Sequence, residues 1–127
     1  MLDLSKLGGT IFDLSGKVAL VTGAAGLLGV EHSIALVQAG ADVVMTDINL
    51  EELEISVQNV LKITGVSPDS MLLDVSDQDA VSSVRKELVH QGKIVDILIN
   101  NAAIDPKVGS DVTVKESSRL ENFDVDK

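Results

Sequence analysis

The residues with the clearest chemical potential are three glycines, Gly23, Gly26 and Gly29, in the stretch VTGAAGLLG. They follow a short apolar run, VALVT (18–22), and stand where a helix is expected to begin. A strand that turns directly into a helix leaves the first helical N–H groups unpaired, and these groups together with the helix dipole favour a phosphate. Glycine permits the tight turn and a close phosphate because it has no Cβ. Such a loop alone also fits a tight turn with close helix–strand packing.

A carboxylate in the next apolar run strengthens the phosphate interpretation. Asp47 ends the run ADVVMTD (41–47) and stands 18 residues after Gly29. That separation is near the ~20 residues typical of an acidic side chain that binds the ribose hydroxyls of a dinucleotide. The two features together predict a dinucleotide site. The alternative is that Asp47 is only a carboxylate at a helix N-terminus.

The same residues distinguish between the two nicotinamide dinucleotides. The 2′-phosphate of NADP would bring a second negative charge within a few ångströms of Asp47, and it would need a nearby Arg or Lys. Residues 24–27 are Ala, Ala, Gly and Leu, and residues 48–50 are Ile, Asn and Leu. Because neither segment contains a base, we expect the cofactor to be NAD rather than NADP.

Four apolar runs must position these residues. They lie at 18–22, 42–47, 70–74 and 94–100, and the segments between them have apolar residues at helical spacing. Strands that alternate with helices indicate right-handed βαβ units in a parallel sheet. The sequence therefore predicts an α/β fold, a partial Rossmann-like doubly wound parallel sheet with four strands in the order 3-2-1-4.

Short patterns also mark the ends of the predicted helices. Asn49 stands three residues before Glu52, and Ser76 stands three residues before Asp79. Both pairs are typical of a helix start, in which the first side chain accepts a hydrogen bond from a backbone N–H. Gly65 is placed to end the helix that begins after Asn49.

Three stretches in order resemble a known family: GKVALVTGAAGLLG (16–29), LLDVSD (72–77) and VDILINNAAI (95–104). Together they resemble the short-chain dehydrogenases/reductases, over about residues 14–127. The glycine spacing of TGAAGLLG is similar to that of the larger, epimerase-like branch, whereas the asparagine stretch is similar to that of the single-domain branch. We give the longer asparagine match more weight. Ala103 stands where the family usually has glycine.

The resemblance implies a set of residues that contact the cofactor. The glycine loop would line the phosphates, Leu28 would back the nicotinamide side, and Asp47 would hold the adenosine ribose. The segments after strands two and three would contact the adenine, although Asp74 could instead cap the next helix. The segment after strand four would border the nicotinamide and its ribose, with Asn100 as a structural bridge. The implied cofactor-binding residues are Gly23, Ala24, Ala25, Gly26, Leu28, Gly29, Asp47, Ile48, Asp74, Val75, Asn101, Ala102 and Ala103.

The resemblance also implies an activity, hydride transfer between NAD(H) and an alcohol or carbonyl substrate. In the family a Tyr acts as general acid/base beside a Lys four residues on, with a Ser and an Asn in support, all beyond the fourth strand. This chain contains no Tyr. We therefore assign no catalytic residue and expect the NAD-binding half of an oxidoreductase, truncated before its active site. The alternative is a dinucleotide-binding or interaction module that does not catalyse.

Composition limits the remaining possibilities. A formal net charge of -10 argues against nucleic acid as a partner, because phosphate neutralisation needs clusters of Lys and Arg. Zero cysteines and two separated histidines argue against a metal site. No signal peptide or membrane span is evident, so we expect a cytoplasmic protein.

The expected organisation is an N-terminal extension (1–15), the Rossmann half (16–104), and a loop with the start of a truncated helix (105–127). The fourth predicted strand is apolar on both faces and would have a bare edge unless residues 101–127 fold over it. Because unpaired edges are templates for association, we expect self-association or aggregation.

Overall fold

A computed structural model describes residues 12–103. Residues 1–11 of the expected N-terminal extension, and the expected tail at 105–127, lie outside the described residues. Strands and helices alternate along the described chain, with bounds β1 Val18–Val21, α1 Leu27–Gln38, β2 Asp42–Asp47, α2 Leu50–Thr64, β3 Asp69–Leu72, α3 Gln78–His90 and β4 Ile97–Ile99.

The four strands form one parallel sheet in the order β3-β2-β1-β4, which confirms the predicted topology. In its register, Ala19 of β1 lies opposite Val43 of β2 on one side and Ile97 of β4 on the other. The chain order reverses between β1 and β4. In an open parallel sheet a ligand crevice forms at such a reversal, at the carboxyl ends of the strands.

The sheet carries non-aromatic side chains on both faces. The larger core cluster lies between the sheet and the helices α1 and α2, and the smaller one lies under α3. No helix within residues 12–103 has both the length and the apolarity needed to cross a bilayer. The largest fully buried apolar side chains are Met45, Leu53, Leu88, Val21, Val43, Val44 and Val60.

The helix ends confirm one predicted start and correct the other. Asn49 caps α2, because its Oδ1 accepts the Glu52 N–H at 3.1 Å, and Gly65 follows the helix at φ 77°. The prediction for α3 is wrong: Asp77 is its cap and accepts the N–H groups of its second and third residues. The hydroxyl of Ser76 instead donates to Asp74, at 2.6 Å.

Strand β4 is shorter than the predicted 94–100, because its first part is replaced by a side-chain contact. Asp96 pairs with Val18 twice: its N–H donates to the Val18 carbonyl at 2.9 Å, and its Oδ2 accepts the Val18 N–H at 2.9 Å. The preceding Ile94 and Val95 are exposed. Strand β3 likewise begins one residue earlier and ends two residues earlier than the predicted 70–74.

A lysine joins the amino ends of two neighbouring strands, β2 and β3. Lys93 Nζ contacts Asp42 at 3.0 Å and also forms an ion pair with Asp69. The hydrogen bond to Asp69 is the main cause that raises the pKa of Lys93, against a smaller opposing effect of burial. This ion-pair cluster lies at the sheet edge opposite the crevice.

Candidate functional site

A cleft of about 420 Å³ opens at the carboxyl ends of all four strands. It brings together residues that are distant in sequence but were expected to contact one ligand. Seven of the nine lining residues belong to the expected site; the complete lining is Gly23, Asp47, Ile48, Leu73, Asp74, Val75, Ser76, Ala102 and Ala103.

Gly23 begins the loop on the β1 side of the cleft. Its φ of +59° is one that residues with a side chain rarely adopt, and a Cβ there would lie 2.8 Å from the Cα of Ala102. The glycine is therefore required twice, once for the turn and once for the close approach of the segment after β4.

Thr22 fastens that segment to the loop, a role that the sequence analysis missed. Its buried hydroxyl donates to the Ile99 carbonyl at 3.3 Å. It also accepts the N–H groups of Asn101 and Ala102, at 3.1 and 3.0 Å. The available signal was a hydroxyl residue at a strand end directly before a glycine. All the hydrogen-bonding capacity of this hydroxyl is used inside the protein.

The structural bridge expected of Asn100 comes instead from Asn101. The Asn101 side chain donates from Nδ2 to the Gly23 carbonyl at 3.1 Å, whereas Asn100 is exposed. The difference of one position follows from the alternation of side chains along a strand. Asn101 and Ala102 are half-buried and Ala103 is exposed at the cleft.

The centre of the glycine loop makes its hydrogen bonds within the protein. The Ala24 N–H donates to the Thr46 carbonyl at 2.9 Å, and the Gly26 N–H donates to the Gly23 carbonyl at 3.1 Å. The Ala25 N–H donates to Asp47 Oδ2 at 3.0 Å. Ala24 is also fully buried. It therefore lies behind the loop and presents no surface to a phosphate, contrary to the expectation from sequence.

The free donors lie one turn further on, at the start of α1. Gly26 is the N-cap and accepts the Val30 N–H at 3.1 Å. The amides of the first three helical residues, Leu27, Leu28 and Gly29, therefore have no intrahelical acceptor. Leu28 is 62% exposed, so its side chain stands outside the core.

Two of the loop glycines have different reasons to be glycine. A Cβ on Gly29 would lie 2.5 Å from the Gly23 carbonyl oxygen, so the protein itself excludes a side chain there. A Cβ on Gly26 would meet only the Gly23 oxygen, at 3.4 Å, and the φ of Gly26 is an ordinary −76°. The open space at Gly26, beside the unpaired amides, fits a bound phosphate.

Asp47 stands half-buried at the end of β2, on the wall of the cleft. Its Oδ2 accepts the Ala25 N–H, and its Oδ1 accepts the Asn49 N–H at 3.1 Å. Because a carboxylate has about four acceptor positions, each oxygen can still accept a hydroxyl.

Asp74 is the second carboxylate of the cleft. The hydroxyl of Ser76, and then its N–H, lower the pKa of Asp74, so this side chain is ionised at neutral pH. It does not cap α3, because Asp77 does. Ile48 is 70% exposed and Val75 41% exposed beside it. These two apolar side chains can contact the faces of a flat aromatic group.

The charged side chains that line the cleft are all negative. The nine lining residues include two carboxylates and no Lys or Arg. Within residues 12–103, no three His, Asp or Glu side chains form a candidate metal site.

Comparison with known proteins identifies the family. Residues 17–125 match the family model of the short chain dehydrogenases. The chain belongs to the short-chain dehydrogenase family. It is 39% identical, over 94 residues, to a gluconate 5-dehydrogenase from Gluconobacter oxydans, and the match covers 74% of this chain and 36% of that protein. It is 36% identical, over 91 residues, to a 3-oxoacyl-(acyl-carrier-protein) reductase from Thermotoga maritima, covering 72% of this chain and 37% of that protein.

Solved structures of short-chain dehydrogenases share the fold. A 2-keto-3-deoxy-D-gluconate dehydrogenase from Streptococcus agalactiae matches with a TM-score of 0.74 and 28% identity, over 87% of this chain and 42% of that chain. The N-domain of a bacterial malonyl-CoA reductase, solved with NADP, matches with a TM-score of 0.67 and 37% identity, over 72% of this chain and 17% of that chain. The present chain spans about a third of the length of the curated relatives it matches.

Proposed function

We propose that this chain is the NAD-binding part of an oxidoreductase that transfers hydride between NAD(H) and an alcohol or carbonyl compound. Family membership supports the reaction class. The observation that carries the cofactor proposal is the pairing of the unpaired amides beside Gly26 with the Asp47 carboxylate at the next strand end. One feature suits a pyrophosphate and the other suits an adenosine ribose.

Each part of the dinucleotide has a counterpart either in the cleft or at the neighbouring start of α1. The amides of the two exposed residues at the start of α1, Leu27 and Leu28, would bind the pyrophosphate, and Asp47 would accept the ribose hydroxyls. Gly29, which the resemblance also implied, is buried and serves the packing of the loop instead. Ile48 and Val75 would contact the faces of the adenine, and the Asp74 carboxylate would accept its amino group. Residues 101–103 would border the nicotinamide ribose. When bound, the nicotinamide accepts or donates the hydride.

The preference for NAD over NADP is supported by the charges of the cleft. A 2′-phosphate next to Asp47 would place two negative charges close together at a wall with no cation to pair with either. Family membership alone does not make this choice, because the similar N-domain of malonyl-CoA reductase was solved with NADP.

Calorimetric titration of the 127-residue chain with NAD and with NADP tests both the site and the preference. We expect NAD to bind at least about tenfold more tightly, since a tenfold ratio corresponds to only about 1.4 kcal/mol. Because ligand binding stabilises the folded state, NAD should also raise the melting temperature more than NADP does at equal concentration. Equal affinities would contradict the charge argument, and a tighter fit of NADP would reverse the proposal.

The absence of tyrosine from the chain favours a second candidate, a dinucleotide-binding module without catalysis. The tyrosine general acid/base that the family resemblance implies cannot come from these residues. The two candidates separate in an assay of NADH oxidation with a panel of ketones and aldehydes. The proposal predicts no turnover by this chain alone and turnover by a longer protein that contains it. Failure of both to turn over, with NAD still bound, would favour the module.

A further inference from the structure

The carboxylate of Asp47 links the backbone N–H groups of Ala25 and Asn49, which are 24 residues apart in sequence. Its Oδ2 accepts the N–H of Ala25 at 3.0 Å, in the centre of the glycine loop. Its Oδ1 accepts the N–H of Asn49 at 3.1 Å, and Asn49 is the N-cap of α2. One side chain therefore fixes the loop after β1 to the start of α2.

Neighbouring contacts reinforce the link on the loop side. The Ala24 N–H donates to the Thr46 carbonyl at 2.9 Å, directly before Asp47. On α2, the buried Ser56 hydroxyl donates to the Ala25 carbonyl at 3.4 Å, a long and therefore weak bond. Of the contacts made by Ala25, the one with Asp47 is the shorter and involves a charged acceptor, so it should contribute most.

Only a carboxylate of this length satisfies both donors. Asparagine has the same shape, but it offers one acceptor oxygen and an NH₂ group in place of the second. In either orientation of the amide, one of the two N–H groups, that of Ala25 or that of Asn49, would face another donor. A donor left without an acceptor in a partly buried place costs more than the bond itself contributes.

We propose that Asp47 is a positioning residue for the glycine loop as well as the ribose-binding group. Cofactor discrimination and loop shape then depend on one carboxylate. The consequence, which rests on the proposed function, is that substitution of residue 47 weakens the binding of NAD without creating a preference for NADP. A change of cofactor preference would need a second substitution that restores an acceptor for the Ala25 N–H.

Amide hydrogen exchange of the ligand-free, ¹⁵N-labelled chain tests the positioning role without any cofactor. In Asp47→Asn we expect the Ala25 amide to exchange about tenfold faster, relative to the buried Val44 amide in the middle of β2. Asp74→Asn is the matched control, because Asp74 lines the same cleft but its carboxylate makes its described hydrogen bonds only with Ser76. Unchanged Ala25 exchange in Asp47→Asn, or equal acceleration at Ala25 and Val44, would overturn the positioning role.

Calorimetry then tests the consequence. In Asp47→Asn we expect at least about tenfold weaker binding of NAD and no gain in NADP affinity. The substitution removes the charge that repels the 2′-phosphate of NADP, but it also distorts the glycine loop, and the second effect opposes the first. A tenfold or larger gain in the affinity for NADP would overturn the proposal that cofactor discrimination and loop shape depend on the same carboxylate. If the unmodified chain binds neither dinucleotide while Ala25 exchange still accelerates in Asp47→Asn, the proposed function fails and the positioning role stands.

Discussion

The backbone at Gly23 approaches Ala102 so closely that a Cβ on Gly23 would lie 2.8 Å from the Ala102 Cα. This contact joins the loop after β1 to the segment after β4, the two strands between which the chain order reverses. The crevice of the candidate site therefore has a fixed floor, made of backbone and one threonine hydroxyl.

Gly23→Ala should destabilise the fold by about 2–4 kcal/mol, because it combines a strained φ with a steric clash against backbone. Gly65→Ala is the matched control: its φ is also positive, at +77°, but no atom lies within 4 Å of the added Cβ. We expect the control to lose only about 1 kcal/mol. Urea unfolding of both variants measures the difference. Equal losses would show that the contact with Ala102 can relax.

Gly26→Ala should keep the stability within about 0.5 kcal/mol, because its Cβ meets only an ordinary contact at 3.4 Å. It should weaken the binding of NAD at least about tenfold if the pyrophosphate lies against this residue. Gly29→Ala is the contrasting variant, and overpacking against Gly23 and Ala24 should cost it about 1–3 kcal/mol of stability. Unfolding curves and calorimetry are needed for both. Undiminished NAD binding by Gly26→Ala would place the phosphate elsewhere.

Stability should fall at high pH through Lys93. Its pKa is raised in the folded state by Asp69 and Asp42, so the contribution of its charge is complete below the ordinary lysine pKa of about 10.4 and is lost as pH rises through the folded value. In Lys93→Met the difference in urea midpoint between about pH 9 and about pH 11.5 should shrink. Lys62→Met, at an exposed position in α2, should leave that difference unchanged. If the urea midpoint of Lys93→Met fell between these two pH values as much as that of the unmodified chain, the pH dependence would come from other groups.

Self-association should occur through the edge of β4 that faces away from β1. Within residues 12–103 this strand pairs only with β1, and Leu98 is 54% exposed on it. An unpaired apolar edge favours pairing with a second chain, so sedimentation at micromolar concentration should show dimers or larger species. Leu98→Lys should shift the distribution towards monomer, because a charge at an edge opposes pairing. A monomeric unmodified chain would show that this prediction is wrong.

The parts of the fold that the sequence predicted are those set by hydrophobic pattern and by a single local signal. Apolar runs located all four strands, and the right-handed crossover rule ordered them. The Asn49–Glu52 pair located the start of α2, because the cap acts over three residues.

What the sequence did not predict depends on competition between neighbouring polar groups. Ser76 and Asp77 both had the chemistry to cap α3, and Asp77 took the position while Ser76 bonded to Asp74. Asp96 replaced part of a strand with its side chain and shortened β4. Residue types alone do not decide such exchanges, because the alternatives differ by about one hydrogen bond.

In the candidate site, the sequence predicted the glycine loop and the role of Asp47. It did not predict that the N–H groups of the loop would form hydrogen bonds within the protein. Ala24 and Ala25 donate to Thr46 and Asp47, acceptors that only the folded chain brings near them. The role of Thr22 was not predicted for the same reason, because its hydrogen-bond partners lie about 77 to 80 residues away in sequence.

The non-aromatic core has a practical optical consequence. The chain contains neither Trp nor Tyr, and only two Phe, so the ligand-free protein has almost no near-ultraviolet absorption or emission of its own. A bound reduced nicotinamide would fluoresce against a dark background, and its signal would need no correction for energy transfer from the protein. Unfolding, by contrast, is better followed through the circular dichroism of the backbone, because the emission of two Phe is too weak to report it.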